Sequence, residues 1–206
     1  MRIKVCGLHP VRDVQFCVDL GINFLGFVFY EKSPRNLNLE DVKKLKRYDK
    51  QNSFFTAVTV DPTNEFIKNV VLKNFDYIQL HGSETCERVK EIKAMGIKII
   101  KAIKIRESVD INKYKEYEDA EIILFDTPGM EKSIEFPKNL ISKLPKGDRY
   151  ALAGSVSIDN IENIVKLGVN FFDLSSSLES KLGQKDHLKV KSFMNKIKEL
   201  NERRKN

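Results

Sequence analysis

The chain has 206 residues, 41% hydrophobic and 32% charged, with a formal net charge of +7 and three cysteines. That length suffices for one sizeable core. No apolar run nears the roughly twenty residues of a bilayer span, no export leader precedes the first strand, and the cysteines lack paired Cys-x-x-Cys spacing. A cytoplasmic α/β globular domain over 1–206 is predicted, without disulfides or a structural metal. Lysines interleave with glutamates along "EDVKKLKRYDK" and "ERVKEIKAMG", a spacing that marks solvated helix faces rather than a nucleic-acid or membrane surface. Only "NERRKN" is a local basic cluster, and its last residues, 204–206, are expected to fray.

In chain order, the strand "RIKVC" at 2–6 leads to a helix over about 10–20 that Gly21 stops. The strand "FLGFVF" at 24–29 and a helix at 39–48 follow, then a strand at 54–60. Pro62 or Thr63 opens a helix over 63–73, with Phe66, Ile67, Val70 and Val71 on one face. A strand at 76–80, a helix at 84–95 ended by Gly96, the strand "IKIIKAI" at 97–103 and a helix at 108–118 come next. Strands at 121–126, 149–153 and 170–174 alternate with helices at 136–143, 157–167 and 186–203. Ser157 or Asp159 is the expected cap of the 157–167 helix, which buries Ile161, Ile164 and Val165 and stops at Gly168. Strands with such continuous apolar character suit a parallel sheet covered by helices. Eight strand-helix units, with no G-x-G-x-x-G after the first strand, favour a closed (β/α)8 TIM barrel over an open doubly wound sheet.

In such a barrel the chemistry stands at the carboxyl ends of the strands. Strand one ends at Cys6, strand two leads into "EKSPR", strand three reaches Asp61, strand four ends "QLHG" and strand six ends at Asp126. Strands seven and eight end "LAGS" and "DLSSS". A cysteine taken alone reads as a packing residue. A thiol, a guanidinium, an imidazole and a carboxylate gathered on one rim read as a site.

The ordered set "KVCG" at 4–7, "GFVF" with "SPR" at 26–35, "QLHG" followed by Glu84, "FDT" at 125–127, "LAG" at 152–154, "DLSS" at 173–176 and "ESKLGQKD" at 179–186 resembles the phosphoribosylanthranilate isomerase family. The resemblance implies an Amadori rearrangement in tryptophan biosynthesis on a small phosphorylated substrate, without cofactor or metal, by a monomer or homodimer. It implies Asp126 as the acid that opens the ribose ring and Cys6 as the base that removes the C2′ proton. Loss of hydration at a strand's inner end favours the neutral form of a carboxyl group, and a nearby cationic imine favours a thiolate. Arg35 is implied as the partner of the anthranilate carboxylate, and His81 as a binding or supporting residue. The phosphate is expected between the loops after strands seven and eight, at Gly154, Ser155, Ser176 and Ser177.

The chain departs from the family where "PGMEKSIEF" replaces a glycine-rich stretch after Asp126, and where Ser155 and Ser177 stand in place of glycines. Backbone amides bind phosphate whatever the side chain, so the site is expected to survive. A barrel acting on another phosphorylated sugar and a non-catalytic barrel are the alternatives; retention of both Cys6 and Asp126 favours the isomerase.

Overall fold

A computed structural model describes residues 1–126, 138–154 and 156–204. The apolar runs form β1 (Arg2–Cys6), β2 (Phe24–Phe29), β3 (Phe54–Thr59), β4 (Tyr77–Leu80), β5 (Lys98–Lys104), β6 (Ile122–Asp126), β7 (Tyr150–Ala153) and β8 (Phe171–Leu174). They pair in chain order into a closed barrel. Its seam is the parallel pairing of β1 with β8, in which Arg2 lies opposite Phe171 and Lys4 opposite Asp173.

Side chains alternate between two cores because successive strand residues point to opposite faces. Ile3, Val5, Leu25, Phe27, Phe55 and Ile78 face outward and pack under the helices, against residues such as Val14, Val42, Val89 and Phe193. Phe24, Tyr77, Ile100, Ile122, Leu124 and Phe171 face inward and fill the barrel. At the floor the Phe24 and Phe171 rings stack with centroids 5.1 Å apart, and the Arg2 guanidinium lies 4.5 Å from the Phe171 centroid. The barrel interior is thus plugged at the amino end, and the carboxyl ends of the strands form its mouth among the described residues.

The helices follow the apolar stripes, and four of those among the described residues begin at side-chain caps. Asn38 accepts from the Asp41 N–H ahead of Leu39–Leu45, and Thr63 accepts from Phe66 ahead of Asn64–Phe66. Thr85 and Asp186 do the same for Cys86–Ala94 and His187–Arg203. Two stretches differ from expectation. Residues Ser108–Glu116 form a 3₁₀ helix in which Ile111 alone is buried, since no apolar stripe of period 3.6 is present to demand α geometry. The helix expected from 157 begins at Ile161 with Asn160 as its cap residue. Ser157 is instead part of a turn: its N–H donates to the Asn160 side chain and its carbonyl accepts from Ile161. At the chain end Arg204 donates to Asn170. No helix among the described residues is long and apolar enough to cross a membrane.

A buried ion pair ties three strand ends together. Lys101, outward-facing on β5, donates to Glu84 at 2.6 Å and to the Gly82 carbonyl at 3.1 Å. Glu84 in turn accepts the backbone N–H groups of Asp61 and Gly82. Asp61 is held at φ +46°, and a Cβ at Gly82 would stand 2.5 Å from the Asp61 carboxylate and 2.8 Å from its amide nitrogen. Only glycine allows this approach. Lys101→Met, which strands the Glu84 carboxylate, should cost about 3–5 kcal/mol in urea denaturation, the scale for breaking a buried pair from one side.

Candidate active site

Lys4 and Cys6 share the inner face of β1. Lys4 is 1% exposed; its ammonium donates to Asp173 Oδ2 at 2.7 Å and borders the same space as the Cys6 thiol. Gly26 of β2 lies opposite Cys6, and a Cβ there would stand 3.0 Å from Lys4 Nζ and 3.1 Å from Cys6 Sγ. Its missing side chain is the space in which ammonium and thiol meet. Burial pushes the Cys6 thiol up, with Lys4 and Lys185 pulling down against it and Asp173 pushing further up. Burial also opposes the charge on Lys4, but Asp173 and Cys6 outweigh it and hold the ammonium above its ordinary value. Burial likewise raises Asp173, against the pull of Lys4.

Across the mouth, β4 and the loop that follows it present Gln79 and His81 towards Asp126 at the end of β6. His81 Nε2 lies 3.0 Å from Asp126 Oδ2, and Gln79 Nε2 lies 3.3 Å from His81 Nδ1. An amide nitrogen can only donate, so Nδ1 accepts and the imidazole proton sits on Nε2, where it donates to Asp126. Asp173 stands within electrostatic reach of Asp126, His81 and Lys4.

The third group comes from the β2 loop and from a hairpin after β8. In this hairpin β9 (Glu179–Lys181) pairs antiparallel with β10 (Gln184–Lys185). Arg35 donates through Nε and Nη2 to the two Glu179 oxygens at 2.6 and 2.7 Å. Lys185, buried, donates to Glu179 at 2.7 Å and to the Ser175 carbonyl at 3.1 Å, and the Ser175 hydroxyl donates to the Cys6 carbonyl at 3.1 Å. Gly7, at φ +79°, lies under Arg35, whose Cδ would be 2.3 Å from a Cβ there. Burial would raise the Glu179 carboxyl, but hydrogen bonds from Arg35 and Lys185 hold it down at about 2.

Of the expected site residues, Cys6, Asp126 and His81 converge on the mouth, and Arg35 reaches its edge with one side of its fork already on Glu179. Gly154 follows β7 at φ +74°, whereas Ser155 and the replaced stretch 128–136 lie outside the described residues. Ser176 and Ser177 belong to a 3₁₀ turn, Ser176–Leu178, and have ordinary negative φ, so that turn has no conformational need for glycine. Sequence reasoning missed Lys4, Asp173, Gln79, Glu179 and Lys185 as functional side chains. A lysine between Ile3 and Val5 in an otherwise buried strand was the available signal for the first. A cleft of about 440 Å³ is lined by Leu45, Tyr48, Phe55, Phe75 and Asp76 at the amino end, remote from these groups.

The family model for N-(5′-phosphoribosyl)anthranilate (PRA) isomerase matches residues 3–196. The chain belongs to this family. The N-(5′-phosphoribosyl)anthranilate isomerase of Sinorhizobium medicae is 34% identical over 209 residues, covering 96% of this chain and 97% of that one. The crystal structure of phosphoribosyl anthranilate isomerase from Thermotoga maritima superposes with a TM-score of 0.85 at 29% identity, over 96% of this chain and 98% of that one. A further isomerase structure, in complex with reduced 1-(o-carboxyphenylamino)-1-deoxyribulose 5-phosphate, superposes with a TM-score of 0.81 at 28% identity, over 96% of this chain and 98% of that one.

Because the folded pKa of Glu179 lies below its ordinary 4.5, its stabilisation is present above pH 4.5 and is lost as pH falls towards 2. Glu179→Gln should therefore flatten the decline of urea midpoints across that acid window while lowering stability at neutral pH.

Proposed function

We propose that this chain catalyses the isomerisation of N-(5′-phosphoribosyl)anthranilate to 1-(o-carboxyphenylamino)-1-deoxyribulose 5-phosphate, a step of tryptophan biosynthesis. The observation that carries the reading is a thiol and a carboxyl group facing one mouth, at the ends of β1 and β6, in a barrel matched by the family over nearly its whole length. The likeness to an isomerase solved with a reduced form of the product supports it.

In this reading Asp126 gives its proton to the ribose ring oxygen as the C1′–O bond breaks, and the nitrogen lone pair closes a protonated imine. The carboxylate left behind is stabilised by the His81 Nε2–H it already accepts. The Cys6 thiolate then takes the C2′ proton. The C–H electrons form the C1′=C2′ bond and neutralise the imine, and ketonisation of the enolamine completes the aldose-to-ketose exchange. Atoms and electrons are redistributed within one molecule, so the chemistry calls for no cofactor. Arg35 offers the edge of its fork that Glu179 does not use to the anthranilate carboxylate; the pairing with Glu179 fixes the plane of the guanidinium before substrate arrives. The phosphate is taken by backbone amides around Gly154–Ser155 and Ser176–Ser177. The reading includes a cytoplasmic location and action as a monomer or homodimer.

Purified protein given freshly made phosphoribosylanthranilate should abolish its fluorescence. Cys6→Ala and Asp126→Asn should each lower turnover on the order of 10²-fold with the fold intact; near-normal rates in both at saturating substrate would overturn the assignment. Arg35→Ala should weaken substrate binding by about 1.5–3 kcal/mol, the scale of charged hydrogen bonds, and raise KM more than it lowers kcat.

A further inference from the structure

We infer that Lys4 is the counter-cation of the Cys6 thiolate, a positioning residue whose own place is set by Asp173. The inference rests on the isomerase reading, in which Cys6 is the base.

A lysine with 1% of its surface exposed inside a barrel is costly to desolvate, and an apolar side chain would fill the same layer at no such cost. Lys4 spends one N–H on Asp173, and its ammonium and the thiol both face the place of a Gly26 side chain. Gly26 removes the one side chain that would separate them, since a Cβ would crowd Nζ and Sγ alike at 3.0 and 3.1 Å. The other charges facing Cys6 are committed elsewhere. Lys185 is held by Glu179 and the Ser175 carbonyl, Arg35 is forked onto Glu179, and His81 and Asp126 pair across the mouth. Asp173 faces the thiol as a negative charge and Lys4 as a positive one. Of the cations among these groups, only the Lys4 ammonium borders with the sulfur the space left by Gly26.

The charges balance through the base step. Before it, thiolate, ammonium and the Asp173 carboxylate sum to one negative charge beside a cationic imine. When the thiolate takes the C2′ proton, sulfur and imine both become neutral, and the Lys4–Asp173 pair stays self-compensated. Lys4 keeps its proton throughout; it makes the thiolate available without competing for the C2′ proton.

The test is the pH profile of Cys6 alkylation by iodoacetamide in the substrate-free protein, followed on the Cys6 peptide by mass spectrometry. Lys4→Met should move the midpoint to higher pH by about one unit or more, the scale of a lost opposite charge at contact. Asp173→Asn should move it to lower pH, because a negative charge facing the thiol is gone while Lys4 remains. A residue that only braces the barrel would give no shift, or shifts of one sign in both variants, and either result overturns the inference. Where a single variant fails to fold by circular dichroism, Lys4→Met with Asp173→Asn leaves no buried charge unpaired. Its midpoint should still rise, since the cation beside the sulfur is lost, and an unmoved midpoint overturns the assignment. The titration needs no turnover. An inactive wild-type protein would sink the isomerase reading alone, and an unmoved midpoint in an active enzyme would sink the role of Lys4 alone.

Discussion

The parallel pairing that closes β8 onto β1 sets Lys4 beside Asp173, and the inner layers of the barrel stack from that point. With a side-chain period of two, the register that turns Lys4 inward also turns Arg2 to the floor and Cys6 to the mouth. A slip of one residue would send Ile3 and Val5 into the lumen and press three polar side chains under the helices, so the apolar outer core enforces the register. The floor is therefore aromatic, the middle layer holds an ion pair, and the rim holds a thiol.

Three buried carboxylates, Asp173, Glu84 and Glu179, each answer to buried or half-buried cations. Such pairs are poor sources of net stability, because desolvation consumes most of the Coulombic gain. Their geometric effect is larger. Lys101–Glu84 holds the loops after β3 and β4, which orients the turn following His81. The Arg35–Glu179–Lys185 cluster clasps the β2 loop to the β9–β10 hairpin and carries Ser175 against the Cys6 backbone. The mouth is organised by the protein's own ion pairs, which is what electrostatic catalysis requires of its surroundings.

Glycine is needed where another group occupies the place of a Cβ, as at Gly7 under Arg35, Gly26 under the thiol and Gly82 against Asp61. Ser177 sits in a turn of ordinary φ, which any residue adopts. Close approach calls for glycine at the first three positions, whereas the backbone at Ser177 accepts a side chain without strain.

The apolar runs by themselves determined the eight strands, and their alternation with amphipathic stretches determined the barrel, because burial of period-two and period-3.6 patterns leaves few other ways to close a parallel sheet. The residues at strand ends, Cys6, Asp126, His81 and the "SPR" arginine, were legible for the same reason: once strands are known, their carboxyl ends are known. The helix expected at 108–118 is present as a 3₁₀ helix over Ser108–Glu116, where there is no apolar stripe to pack. Lys4 was not legible as part of the site, since a lysine in a strand points to solvent unless the sheet closes around it. Glu179 and Lys185 stood in a recognised motif, yet their meeting with Arg35, 144 residues earlier than Glu179 in the chain, exists only because the hairpin folds back over the mouth. Local pattern is short-ranged and reports the elements. The charges that meet at the mouth come from opposite ends of the chain, and only closure of the barrel brings them within reach of one another.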